Sequence, residues 1–176
     1  MADFKKAIGY TLKCEGGYSN DPDDAGRETY CGISRVSHPN WAGWEKVDAH
    51  RPLKWNEVID DAELARLVED FYLVECWKGM CLDEVTDQNV AGFIFDWHVN
   101  SGGAAIKAVQ RLVKVTDDGV MGPHTVEAIN ASDPARLFAQ MKMTREAFYR
   151  NLVVVKPGNA KFLGGWLARV QNFPMV

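Results

Sequence analysis

Glu15 is followed by Gly16 and Gly17 and then, after a short polar stretch, by three aspartates, Asp21, Asp23 and Asp24. A protonated carboxyl close to a second, ionised carboxylate is what cleavage of a glycosidic bond requires. One group protonates the leaving oxygen, and the other activates water or stabilises the positive charge that develops on the sugar. The same residues fit a plainer role, in which Glu15 pairs with a core Lys or Arg and the aspartates cap a turn. Spacing alone leaves the two readings level.

The elements that must position these groups can be read on either side of them. Phe4, Ile8 and Leu12 recur at helical spacing behind Asp3, an N-cap residue type, and Glu15 falls three beyond Leu12 and seven beyond Ile8 on that same face. The pattern predicts a helix that ends at Glu15 with its carboxyl turned inward. Desolvation and the negative end of the helix dipole both oppose ionisation there, so the group is expected to hold a proton near neutral pH. Gly16 and Gly17 provide the left-handed cap, and Asn20-Asp21-Pro22 turns the chain back. The Asp/Gly-rich loop beyond leaves at least one aspartate solvated, which pushes the pKa values of the two carboxyl environments apart. Tyr18 and Tyr30 flank the acids and, with Asn20, are candidates for substrate contact.

The run Glu15-Gly16-Gly17-Tyr18-Ser19-Asn20-Asp21-Pro22, continued by Asp24, Gly26, Thr29, Gly32, Ile33 and Ser34, resembles the signature of the glycoside hydrolase 108 family. The resemblance implies a mainly α-helical, lysozyme-like fold with a small irregular or β-containing loop region after the first helix. It implies an N-acetylmuramidase that cleaves the β-1,4 bond between N-acetylmuramic acid and N-acetylglucosamine, with Glu15 as the general acid. By similarity to phage-type lysozymes, whose Glu and Asp are separated by eight intervening residues, the second carboxylate is Asp24 and the threonine that helps place the water is Thr29. The family pattern has a glycine where this chain has Arg27. Two rival readings remain: a lytic transglycosylase, which uses one glutamate, and a non-catalytic wall-binding or secretion-helper protein on the same fold. The family setting is bacteriolytic, either as a phage endolysin or as a secretion activator.

Past this region, residues 34–52 are rich in Pro, Gly, His and Trp and read as a long loop or irregular subdomain. Its tryptophans, with Trp55, either stack on sugar rings or pack beneath the loop, the commoner use. Leu64, Leu67, Val68, Phe71, Tyr72, Val74 and Trp77 then predict an amphipathic helix ending near Gly79.

A catalytic region over 1–86 and a helical region over 87–176 are expected, packed as one compact unit because no linker of Ser, Gly and Pro separates them. Asp87 caps a helix with Val90, Phe93, Ile94 and Trp97 on its apolar side and Asp96 and Asn100 on its polar side, closed by Gly102-Gly103. The run from Asp96 to Gly102 resembles the start of the C-terminal region that accompanies the family and is predicted there to bind peptidoglycan. That makes Asp96 and Asn100 further candidates for substrate contact. Asp117 to Thr125 resembles a turn of cell-wall-binding repeats, although the same Gly and Pro residues are what joining two packed helices demands. Two more helices carry Phe138, Met141, Phe148 and Leu152, and Phe162, Leu163, Trp166, Leu167 and Val170.

At 176 residues and 47% hydrophobic composition the chain can bury its own core. A net charge of −4 without a basic run argues against a nucleic-acid partner. No apolar run reaches the length of a membrane span, and Met1 to Lys6 lacks the apolar stretch of a signal peptide. Synthesis in the cytoplasm is therefore expected, with action on the wall or periplasm after holin- or secretion-associated release. The partner expected is the peptidoglycan glycan strand, met by a monomer. No cofactor is implied, and no metal, since no Cys-x-x-Cys or paired His accompanies the four cysteines.

Overall fold

The computed structural model describes residues 1–21 and 27–175. The chain divides into two compact units, one of residues 11–74 and one of residues 1–10 with 75–176. The fold is mainly α-helical and lysozyme-like, with a small three-stranded sheet after the first helix.

The first helix, α1 (Phe4–Glu15), begins where the sequence predicts: the Asp3 carboxylate accepts from the Lys5 amide at 2.8 Å. It stops at Glu15 because Gly16 turns left-handed, at φ +73°. In the unit of residues 11–74 the chain then forms an antiparallel sheet of β1 (Tyr18–Asn20), β2 (Glu28–Tyr30) and β3 (Ile33–Ser34). Tyr18 faces Tyr30 across β1 and β2, and Ser19 faces Thr29, so the two tyrosines share one side of the sheet and Thr29 takes the other.

The stretch expected to be a loop holds a helix, α2 (Gly43–Ala49). Its inner side is Trp44 and Val47, both buried, and the Trp44 indole donates to the His38 carbonyl at 2.7 Å. Two large apolar side chains in seven residues are too few to set a period, which is why the sequence pattern misses it. Next, α3 (Ala62–Phe71) starts at Asp61, whose carboxylate accepts from the Glu63 and Leu64 amides. The helical run continues past α3 toward Gly79 as expected, but in a wider π turn over Tyr72–Trp77 and a 3-10 turn over Lys78–Met80.

The other unit is built around α4 (Gln88–Ser101), where every residue from Val90 to Trp97 is buried. Asp87 caps it through the Val90 amide at 2.9 Å, and Gly102, at φ +57°, ends it. Around it lie α5 (Gly103–Leu112), α6 (Pro123–Asn130), α7 (Pro134–Val155) and α8 (Ala160–Gln171). Phe93 meets Phe138 and Phe173 edge to face at 5.2 and 5.1 Å, giving this core its aromatic centre. The Asp118-Gly119 turn is tied to α5 by Gln110. The buried Gln110 side chain donates to Asp118 at 2.8 Å and to the Val120 carbonyl at 3.0 Å, and accepts from the Gly119 amide at 2.9 Å.

Candidate active site

Glu15 is the last residue of α1, half-buried at the helix end where the carboxyl can face inward without losing all contact with water. What lies opposite it is the turn between β2 and β3. Gly32 adopts φ +79°, and a Cβ built there would lie 2.6 Å from Glu15 Oε2 and 2.6 Å from the Tyr72 hydroxyl oxygen. Only glycine fits both the left-handed conformation and the space. The glutamate carboxyl and the tyrosine hydroxyl thus border the same space above one glycine.

Tyr72, at the end of α3, is held in place by donating its hydroxyl proton to the Cys31 carbonyl at 2.7 Å. The neighbouring Cys31 thiol is pushed up to about 11, chiefly by burial, with the negative charge of Glu15 adding to it. Thiol, hydroxyl and carboxyl therefore share a poorly solvated corner. In the sequence Tyr72 is one member of an apolar helix face, and its being a tyrosine within that face is the one signal of a polar role.

A second strap fixes the far side of the helix end. The Tyr18 amide donates to the Glu57 carbonyl at 2.9 Å, and the Asn56 amide to the Tyr18 carbonyl at 2.7 Å. The Asn56 side chain accepts from the Gly17 amide at 2.9 Å. A Cβ on Gly17 would collide with the Glu57 backbone, so the second glycine of the pair is there for close approach. This strap carries Trp55 with 81% of its surface exposed. Trp41 and Trp44, by contrast, are used in packing: they meet edge to face at 5.2 Å, and the Arg35 guanidinium lies 4.3 Å from the Trp44 ring centre.

The remaining candidates fall in several environments. Thr29 sits in the middle strand, half-buried, and Asn20 is exposed at the end of β1. Asp24 lies outside the described residues. Tyr18 and Tyr30 are inside the unit, and neither offers an exposed ring to a ligand. The Tyr18 hydroxyl donates to Glu28 at 3.0 Å and accepts from Arg51 at 3.2 Å; the Tyr30 hydroxyl accepts from the Ile59 amide at 3.1 Å. Burial is also the main reason that the Tyr30 phenol is pushed up. Arg27, where the family pattern has glycine, adopts φ +48°, a conformation that glycine takes more readily.

Asp96 does not lie on a polar helix face. It has no exposed surface, because α4 is covered on every side, and its carboxylate is held by Arg145 at 2.8 Å and by Arg169 at 2.8 Å. Asn100, one turn on and half-buried, accepts from the Tyr149 hydroxyl, which in turn accepts from Arg145 at 2.8 Å. The two residues expected to touch substrate are joined in a network inside the helical unit.

An acid at the end of the first helix, facing a small antiparallel sheet in a mainly α-helical chain, is the arrangement of a lysozyme-like glycosidase. The chain belongs to the glycosyl hydrolase 108 family, whose model matches residues 8–102. Residues 104–171 match a second model, described as a predicted peptidoglycan domain. Among solved structures, that of Brucella abortus SagA is similar at TM-score 0.64 and 25% identity, covering 97% of this chain and 94% of that one. No curated protein matches the chain in sequence. Family and second region together mark a glycoside hydrolase that acts on peptidoglycan.

Proposed function

We propose that this hydrolase is an N-acetylmuramidase that cleaves the β-1,4 bond between N-acetylmuramic acid and N-acetylglucosamine with Glu15 as general acid. The observation that carries the reading is the placement of the Glu15 carboxyl and the Tyr72 hydroxyl around the same Gly32, in a corner whose thiol resists ionisation. Groups so placed favour a proton on the carboxyl, and protonating the leaving oxygen is the step a glycosidase needs from it. Asp24 takes the role of base through its spacing from Glu15, activating a water that Thr29 helps to position. That spacing favours inversion, in which water enters between the two carboxyl groups on the far face of the sugar. Trp55 offers its open aromatic face to a pyranose ring of the glycan beside the acid, while Trp41 and Trp44 are used in packing. The helical second region would hold the strand, and release to the wall would depend on a holin or a secretion system.

Mass spectrometry of fragments from purified peptidoglycan tests the bond and the chemistry together. Hydrolysis at muramic acid gives reducing muramic ends carrying one added water. Anhydro-muramic ends would replace this reading with a lytic transglycosylase, and intact strands that only co-sediment with the protein would replace it with a binding function.

A further inference from the structure

Tyr72 shares the space above Gly32 with Glu15, and its hydroxyl has a single proton, already given to the Cys31 carbonyl at 2.7 Å. A carbonyl oxygen can only accept, so what this hydroxyl turns toward the glutamate is lone-pair density. Lone pairs favour the carboxylic acid, which can donate to them, and disfavour the carboxylate, which cannot. We infer that Tyr72 is a positioning residue for Glu15: its hydroxyl accepts from the protonated carboxyl, keeps that proton on the enzyme between turnovers and holds the carboxyl in one orientation over Gly32. The inference rests on Glu15 being the general acid.

The groups around the carboxyl agree with such a role. The Cys31 thiol, on the strand turn, stays neutral up to about pH 11 because it is buried. Tyr72, at the end of α3, contributes an uncharged hydroxyl, and the strap presents the Asn56 amide beside Gly16. Within α1, Lys13 is exposed. The uncharged hydroxyl and the neutral thiol add to burial in favouring the proton on Glu15. Gly32 completes the device, since a methyl group there would come within 2.6 Å of both oxygens.

The test compares wild type, Tyr72→Phe and Glu15→Gln on purified peptidoglycan, with full pH–rate profiles and melting curves for each. Tyr72→Phe removes one oxygen and keeps the ring. It should lower kcat about tenfold, leave KM unchanged, and move the alkaline limb of the profile about one unit toward lower pH, because the acid now loses its proton sooner. An unchanged kcat and profile would overturn the inference. So would a loss of rate that follows a lowered melting temperature with the alkaline limb in place, since that is what a purely structural tyrosine does. Near-native turnover by Glu15→Gln would instead overturn the reading of Glu15 itself, so the two failures are told apart.

Discussion

Glu15 and Asp96 are both carboxyls set into helices, and their surroundings differ in the one respect that decides what each can do. Asp96 has no exposed surface and is gripped by two guanidinium groups, with Arg145 as deeply buried as itself. Glu15 is half-buried at a helix end and shares its space with an uncharged hydroxyl above a glycine. Two cations satisfy a buried negative charge and lock it in place, which makes a structural joint. A neutral hydroxyl and an open side suit the role of proton donor proposed for Glu15. Burial alone therefore does not mark a reactive acid.

The largest expected effect breaks the Asp96 side of this contrast. Asp96→Ala leaves Arg145 and Arg169 without their shared anion, and should cost about 3–5 kcal/mol of stability in urea or thermal unfolding. A melting curve close to wild type would mean that the joint is not structural. A smaller effect is expected on the strap beside Glu15. Trp55→Ala should raise KM about three- to tenfold with kcat and melting temperature nearly unchanged, because the ring is exposed and stacking on a sugar is its one proposed use. An unchanged KM would take Trp55 out of the substrate path.

The smallest effect concerns the neutral thiol near Glu15. The folded state holds the Cys31 proton up to about pH 11, above the ordinary thiol value of 9.0, mainly through burial. Its contribution to stability is thus complete below pH 9 and declines as pH rises from 9 toward 11. Cys31→Ala should flatten that part of the stability–pH curve. An identical slope in wild type and variant would assign the decline to other groups, with the buried Tyr30 phenol first among them.

What the sequence made legible was local. The Asp3 and Asp87 caps, the end of α1 at Glu15 and the start of α6 at Pro123 each follow from a few neighbouring residues, and the structure has them where the residue types require. Asp96 was harder to read, because a helix surrounded by others has no polar face, and a period-based reading assigns one regardless. Tyr72 was out of reach for a different reason: its hydroxyl meets the Cys31 carbonyl across 41 residues of chain. Tyr18 and Tyr30 flank the acids in sequence, but their cross-strand pairing puts both on the covered side of the sheet. The glycines of the motif were visible as glycines, while the reason for Gly32, two oxygens within 2.6 Å of where a Cβ would sit, required the fold.

The central claim, that Glu15 is a proton donor and Asp96 a joint, is tested most directly by Glu15→Gln. The amide keeps the size of the side chain and cannot deliver the proton, so release of reducing ends from purified peptidoglycan should fall by at least about 100-fold while the melting temperature stays close to wild type. Turnover near the wild-type rate in a folded Glu15→Gln protein would contradict the account.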